Sequence, residues 1–268
     1  MKIGQFAATS LLNKSALWRR AMPGHRRLVF LLLVLLLLSG LSGCAAFRPT
    51  EVPIPAQWYP AEHDVASTTL LVMLPGARDS AGDFERHGVV ELARQALPGW
   101  DLVAVDAHMG YYRERSFGER LEQDIIAPAL ERGYRQIWLT GPSLGGFGSL
   151  MYLCSTDIEA IAGVVAIAPY LGGRHILADI EAAGGLAQWQ PGGAGEDFER
   201  ELWACLRDGP PRPIWLAWGE DDRMDRGARM LAEILPPKRV RSSPGGHRWS
   251  VWVDFWAELL PLIEETDS

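Results

Sequence analysis

Hydrophobic and polar residues alternate along the chain in two patterns, which predict strands and helices in turn. Six strands are predicted, over residues 68–74, 101–107, 136–141, 161–170, 212–219 and 238–243. Most of these segments contain a short apolar run of the kind found in strands buried on both faces. Apolar residues spaced four apart, with charge opposite, are typical of amphipathic helices. Helices are predicted around 84–97, over 116–133, after 144 and over 248–265. The stripe in 116–133 consists of Leu121, Ile125 and Ala129.

Strands and helices joined by short links are typical of a parallel sheet covered by helices on both faces. We therefore predict an α/β fold with a doubly wound, mostly parallel sheet over residues 67–268. One link, at about 171–210, is long and holds two short helical patterns joined by glycine and proline. Such links are usually functional or disordered. The regular spacing of apolar residues here predicts an ordered, short helical cap, with Ile176, Ile180, Leu202 and Leu206 facing inward.

The first 43 residues combine six Lys and Arg residues, no Asp or Glu, and an apolar run that starts at Leu28. This arrangement predicts an export signal. Its end, Leu41–Cys44 (LSGC), resembles the bacterial lipobox, in which the cysteine is lipidated and becomes the new first residue. The resemblance implies that residues 1–43 are removed and that Cys44 carries a lipid anchor. A transmembrane anchor over residues 28–47 is the alternative, because about 20 apolar residues span a bilayer.

The lipobox resemblance also implies a location, which is the bacterial cell envelope. In such lipoproteins an Asp after the cysteine implies retention in the inner membrane, and here Ala45 follows. The periplasmic face of the outer membrane is therefore expected. Translation from Met22 would give the leader ordinary proportions, so Met1 and Met22 are both candidate starts.

The segment between anchor and domain, residues 44–66, contains four prolines and little periodicity, which predicts a tether. The chain carries a net charge of −7 and the leader carries +6, which leaves −13 on the remainder. Such an acidic surface repels phosphate backbones, which argues against nucleic acid as a partner. Attachment to anionic lipid would likewise depend on the anchor and not on surface charge.

Two cysteines lie beyond the lipidation position, Cys154 and Cys205. An exported protein lies in a compartment where disulfides form, but nothing in the sequence places these two within bonding reach. We therefore expect two buried thiols. The sequence contains no C-x-x-C, no H-E-x-x-H and no paired Cys/His spacing, so neither a metal site nor a cofactor is expected.

The stretch LTGPSLGGFG, residues 139–148, places Ser143 between a predicted strand and a predicted helix. Strand, sharp turn and helix are the context of a nucleophile elbow. A nucleophile in such a turn has a strained backbone, and large side chains two positions before or after it would collide. Gly141 and Gly145 occupy those two positions. A plain turn serine is the alternative interpretation.

A serine hydroxyl is a weak nucleophile at neutral pH and needs a base within hydrogen-bonding reach. His247 lies in a glycine loop, SSPGGHRW, between the last predicted strand and the last helix. His108, after the second strand, and His175, in the cap, are the rivals. The base needs an orienting acid, and the segment GEDDRMD, residues 219–225, offers three aspartates after the next-to-last strand.

The segments GPSLGG, GEDD and GGH resemble the α/β-hydrolase superfamily, specifically its small esterase-like members, from about Thr68 to the last helix. The order Ser, Asp, His is the one found in α/β-hydrolases. The resemblance implies that Ser143 is the nucleophile, Asp222 the acid and His247 the base. For Asp222, a cap at the start of the following helix is the alternative interpretation.

The same resemblance implies an oxyanion hole of two backbone N–H groups. One belongs to Leu144, directly after the serine, and the other to Ala77, in the loop after the first predicted strand. Many members have His-Gly where this chain has Pro75-Gly76. The implied activity is hydrolysis of a small-molecule ester through an acyl-enzyme. Thioesterase or peptidase action would use the same residues, and a binding lipoprotein without turnover is the alternative from another class.

Overall fold

The computed structural model describes residues 48–62, 67–192 and 197–267. Within these residues the chain forms seven strands: β1 Ala56–Tyr59, β2 Thr69–Met73, β3 Asp101–Val105, β4 Gln136–Pro142, β5 Ile161–Ile167, β6 Ile214–Gly219 and β7 Val240–Ser243. The helices are α1 Gly82–Arg86, α2 Val89–Ala96, α3 Met109–Arg113, α4 Phe117–Leu121, α5 Ala127–Glu131, α6 Leu144–Ser155, α7 Arg174–Ala182, α8 Phe198–Asp208, α9 Asp225–Ala232 and α10 Trp249–Asp267. A π-helical turn, Glu122–Ile126, joins α4 to α5, and a 3₁₀ turn, Pro237–Arg239, precedes β7.

The strands form one sheet in the order β1-β3-β2-β4-β5-β6-β7. Strand β1 runs antiparallel to β3, and the other neighbouring pairs are parallel. Helices cover both faces: α10 packs on α2 and against β5 and β6, while α6 packs on β4 and β5 beside α4. The predicted doubly wound, mostly parallel sheet is confirmed.

Strands β2 to β7 lie in the six predicted segments, to within a few residues at each end. The helical stripe of Leu121, Ile125 and Ala129 is buried, as its spacing predicted. Because β2, β4, β6 and β7 are parallel, their carboxyl ends meet at one edge of the sheet. Ligands of open α/β sheets bind at that edge, and Ala77, Ser143, Asp222 and His247 lie in the turns or loops that follow these strands.

The long link folds as predicted into a cap of two short helices, α7 and α8. Its four inward-facing residues are buried: Ile176, Ile180, Leu202 and Leu206. Helix α8 packs on α6. The Glu199 carboxylate accepts hydrogen bonds from the Gly173 N–H at 2.8 Å and from the Tyr170 hydroxyl. The cap is therefore fastened to the chain that leaves β5.

The tether prediction is wrong for part of its length, because Ala56–Tyr59 forms strand β1 at the edge of the sheet. Ile54 is buried, and its N–H donates to Asp124 Oδ2 at 2.8 Å. The prolines that suggested a tether flank a four-residue edge strand, where proline is tolerated because no ladder hydrogen bond is lost. Residues 44–47 and 63–66 of that prediction, and the whole leader over 1–43, lie outside the described residues.

The expectation of two buried thiols is also wrong, because Cys154 and Cys205 form a disulfide with their Cα atoms 6.0 Å apart. Cys154 lies near the end of α6 and Cys205 lies on α8. The two residues are 51 apart in sequence, so only the packing of the cap on α6 brings them together. The bond links the cap to the helix that begins directly after Ser143.

Replacing both cysteines by serine is expected to lower the free energy of unfolding by about 4 kcal/mol, the chain-entropy value for a closed loop of this length. The variant and the oxidised wild type are compared by urea denaturation. Wild type unfolded with a reductant present serves as the control and should match the variant. Equal stability of the oxidised wild type and the variant would show that the bond does not form in solution.

Candidate active site

Ser143 lies on a sharp turn between the last residue of β4 and the first residue of α6. Its backbone angles are φ 55° and ψ −114°, a conformation that costs energy for any residue other than glycine. The surrounding chain holds it there. Its N–H donates to the Ile167 carbonyl at 3.0 Å, and its own carbonyl accepts from the N–H groups of Phe147 and Tyr170. This strand–turn–helix geometry is that of a nucleophile elbow.

The glycines on either side of Ser143 are required by close backbone contacts. A Cβ atom at Gly145 would overlap the carbonyl oxygen of Leu74, directly after β2. A Cβ at Gly141 would overlap the same oxygen and lie 2.8 Å from the carbonyl carbon of Gly145. At Gly146 it would lie 2.9 Å from Pro169 Cβ. The Gly-x-Ser-x-Gly pattern thus reflects how tightly this turn packs on its neighbours.

Asp222 and His247 are in direct contact. Asp222 is buried, and its Oδ2 lies 2.6 Å from Nδ1 of His247. The other carboxylate oxygen accepts the N–H of Met224 at 2.8 Å. A hydrogen bond at Nδ1 leaves Nε2 of the imidazole as the ring nitrogen for proton transfer. Asp222 is not the residue that immediately precedes α9, since that position is occupied by Met224.

The loops that carry Asp222 and His247 are joined by backbone contacts. The Asp221 N–H donates to the Gly245 carbonyl at 2.9 Å. In return, the Gly245 N–H donates to Asp221 Oδ2 at 3.2 Å. A Cβ at Gly219 would overlap that same carbonyl oxygen of Gly245. The two loops can therefore approach closely enough for the acid to reach the histidine.

The two rival histidines lie elsewhere. His108 is buried, and its Nδ1 accepts the N–H of Gly110 at 3.1 Å, which caps α3. His175 is exposed on α7. His247 lines a cavity together with Ser143. The structure thus brings His247, and neither rival, to the same cavity as the serine.

Ser143 lies between two cavities. The first has a volume of about 630 Å³ and a largely apolar wall, formed by Met109, Tyr112, Leu144, Phe147, Tyr170, Phe198 and Met224, with Ala77, Arg113, Asp197 and Glu199. The second, of about 590 Å³, is lined by Gly76, Ala77, Arg78, Asp79, Asp221, Arg223, Met224, His247, Arg248, Trp249 and Trp252. The serine thus has a largely apolar space on one side and, on the other, a more polar space lined by several charged residues.

The predicted oxyanion donors, Ala77 and Leu144, both line the first cavity beside Ser143. Leu144 is the first residue of α6, so its N–H has no partner within the helix. Within the described ranges no group accepts a hydrogen bond from the backbone N–H of Ala77 or of Leu144. Both donors are therefore free to bind an oxygen atom beside the serine.

No protein-family model and no curated protein matches the sequence. Solved structures do match its fold. Est1E from Butyrivibrio proteoclasticus superposes with a TM-score of 0.59 at 13% identity, over 84% of this chain and 100% of that one. The fluorophosphonate-binding serine hydrolase FphF of Staphylococcus aureus gives 0.58 at 12% identity, over 81% and 96%. The S-formylglutathione hydrolase FrmB of the same species gives 0.52 at 12%, over 81% and 98%.

This chain has the α/β-hydrolase fold. Within that fold, further residues surround the candidate site, and the sequence motifs do not indicate all of them. The Trp252 ring packs edge-on against His247, with centroids 4.8 Å apart. The Trp249 indole N–H donates to Asp79 Oδ1 at 3.1 Å. The signal that would have indicated Asp79 is its place in the loop after β2, two residues after Ala77. Trp249 is indicated by its place beside the loop of His247, two residues further on, whereas nothing local indicates Trp252.

The pKa of Asp79 is raised, mainly because burial penalises its charged form, although the hydrogen bond from Trp249 opposes the shift. An aspartate with a raised pKa in the folded state holds its proton more tightly there than in the unfolded chain. Stability contributed by this group is therefore lost as the pH rises from the unfolded pKa through the folded one.

Asp79→Asn is accordingly expected to raise the melting temperature at pH 7, because the amide oxygen still accepts the Trp249 hydrogen bond and no charge is buried. Near pH 3, where both forms are neutral, the two proteins should melt together. Thermal denaturation of both proteins across this pH range checks the sign. A variant that melts lower than wild type at pH 7 would contradict the prediction.

Proposed function

We propose that this protein is a serine hydrolase that cleaves carboxylic esters through an acyl-enzyme. The proposal rests mainly on the residues that line one cavity. Ser143, strained on an elbow, shares it with His247, and His247 is bonded to the buried Asp222. The structures with the same fold support it, since they include one protein named as a serine hydrolase and one named as an S-formylglutathione hydrolase.

In the proposed mechanism the Ser143 hydroxyl attacks the ester carbonyl while His247 Nε2 takes its proton. Asp222 accepts the N–H at Nδ1 and stabilises the imidazolium that forms. The Ala77 and Leu144 N–H groups hold the negative oxygen of the tetrahedral intermediate. The intermediate collapses when His247 protonates the alcohol oxygen, which leaves. Water then attacks the acyl-enzyme by the same steps, and the carboxylic acid is released.

We assign the two halves of the ester to the two cavities. The leaving oxygen must receive its proton from the base, so the alcohol portion lies on the His247 side, in the second cavity. The carbonyl oxygen faces Ala77 and Leu144. The acyl portion then extends to the other side of Ser143, into the first cavity, which Leu144 also lines. That cavity's apolar wall suits a hydrocarbon or aromatic acyl group. Burial raises the pKa of the Tyr112 phenol in this wall, so its hydroxyl stays neutral.

A fluorophosphonate probe tests the proposal, because it reacts with an activated serine and not with an ordinary one. The full-length protein is expected to be labelled at Ser143 and to hydrolyse a panel of esters of graded acyl length. The binding-lipoprotein alternative predicts no labelling and no turnover. Ser143→Ala is the matched control and should stay unlabelled; label on that variant would show that another residue reacts.

We also propose that Cys44 is lipidated and holds the protein on the periplasmic face of the outer membrane. Support comes from the LSGC sequence and from the disulfide of the folded domain, since such bonds persist in oxidising compartments. Among the helices of the described ranges, none is both long and apolar enough to cross a bilayer. Metabolic labelling with a palmitate analogue tests the idea. Wild type should be labelled and Cys44→Ser should not, and equal label would overturn it.

A further inference from the structure

Three arginines surround the second cavity, in which the alcohol portion of the ester is proposed to lie. Their side chains are exposed at its rim. They come from three separate loops, after β2, after β6 and after β7. Each one immediately follows a residue assigned a role in the proposed mechanism: Arg78 follows Ala77, Arg223 follows Asp222 and Arg248 follows His247.

None of these guanidinium groups forms an ion pair with a carboxylate of the described residues. Across the described ranges, no Asp or Glu oxygen lies within 4.0 Å of Arg78, Arg223 or Arg248. Arg248 Nε donates to the neutral hydroxyl of Ser250 at 3.1 Å. Other arginines of this acidic chain do pair with carboxylates, such as Arg200, Arg226 and Arg229.

The two carboxylates that line the same cavity are already engaged. Asp79 accepts the Trp249 indole N–H, and Asp221 accepts the Gly245 N–H. The three arginines therefore leave their N–H groups available at the mouth of the cavity. Guanidinium binds carboxylate and phosphate oxygens in a two-pronged geometry, and such charge-assisted hydrogen bonds are stronger than neutral ones.

We infer that the alcohol portion of the substrate carries an anionic group, a carboxylate or a phosphate, which Arg78, Arg223 and Arg248 bind. The inference rests on the proposed function, because the second cavity receives the alcohol only if Ser143 and His247 act as described. The acyl portion carries no such charge, since it occupies the apolar cavity. The cluster thus selects esters whose leaving alcohol is negatively charged.

Matched esters of one acyl chain test this inference on the full protein. We choose butyrate esters of 3-hydroxybenzoate, of 3-hydroxyphenyl phosphate and of 3-hydroxybenzamide, which differ in the charge of the alcohol portion. The kcat/KM for at least one anionic ester is expected to exceed that for the neutral amide by about tenfold. Whichever anion is favoured identifies carboxylate or phosphate as the group. The preference should weaken as salt is added, because exposed charges are screened.

Variants then test which residues cause the preference for anionic esters. In Arg78→Gln/Arg223→Gln, the ratio of kcat/KM between the favoured anionic ester and the neutral ester should fall towards one. Arg135→Gln is the matched control. Arg135 is exposed directly before β4, at the opposite edge of the sheet, so the ratio should keep its wild-type value. An unchanged ratio in the double variant would overturn the assignment to these arginines.

The outcomes separate this inference from the proposed function. If wild type hydrolyses the neutral and anionic esters equally well, the inference is wrong and the ester hydrolase stands. If wild type hydrolyses none of them and takes no fluorophosphonate label, both are wrong. Monophenyl adipate places the charge on the acyl portion instead, and its primary-amide counterpart is the neutral control. A preference for the charged adipate over all the other esters would also overturn the inference.

Discussion

Ser143→Ala is expected to lower ester turnover by about a million-fold, because the single mutant of such a nucleophile loses almost the whole contribution of the catalytic residues. The variant should fold like wild type. Alanine tolerates the turn no worse than serine, and no hydrogen bond involving the Ser143 side chain caps α6. Stopped assays on a butyrate ester at high enzyme concentration measure the residual rate, and circular dichroism checks the fold.

Ser155→Ala provides the control for the nucleophile. Ser155 is the last residue of the same helix and donates its hydroxyl hydrogen bond to the Tyr152 carbonyl at 3.3 Å. It lines neither of the two cavities at Ser143, so its replacement should leave turnover close to the wild-type value. If Ser143→Ala keeps a tenth of the wild-type rate, Ser143 is not the nucleophile.

Asp222→Asn is expected to lower turnover by roughly 10⁴-fold, the loss observed when the orienting acid of such a triad becomes an amide. An amide in this position turns the imidazole to the wrong tautomer, so that Nε2 can no longer accept the serine proton. This expectation rests on the hydrogen bond between Asp222 Oδ2 and His247 Nδ1, which are 2.6 Å apart. A pH–rate profile on the same ester should show the loss at every pH where wild type is active.

The two neighbouring aspartates are the matched controls for Asp222. Asp221 accepts a backbone N–H from the His247 loop, and Asp225, in the first turn of α9, pairs with Arg229 at 2.8 Å. Asp221→Asn and Asp225→Asn should each stay within about tenfold of wild type, because neither carboxylate orients the histidine. A collapse in Asp221→Asn beside a near-normal Asp222→Asn would show that the acid is the preceding residue.

The strands and the turn at Ser143 could be predicted because they depend on residues close together in the sequence. A strand buried on both faces must be a continuous apolar run, and after their first residues β2, β3 and β5 are such runs. The tight turn needs small residues at fixed distances from the serine, and Gly141 and Gly145 stand there. These requirements are local, so they remain visible without the rest of the fold.

The candidate site was only partly visible in the sequence. Chain order placed Ser143, Asp222 and His247 after three strands of one parallel sheet, and the carboxyl ends of such strands share an edge. Which aspartate side chain points towards His247, however, depends on how two loops pack. In the structure the backbone of Asp221 pairs with Gly245, and Asp222 then faces the imidazole.

By itself the sequence determined the alternation of strands and helices, the amphipathic cap and the elbow at Ser143, since periodicity and turn chemistry act over a few residues. The tertiary structure alone decided that residues 56–59 pair with β3, that Cys154 meets Cys205 across 51 residues, and that three separate arginines line one cavity. The physical reason is the same in each case. Contacts between residues far apart in the chain are set by how whole elements pack, and packing depends on all the side chains together and not on any local pattern.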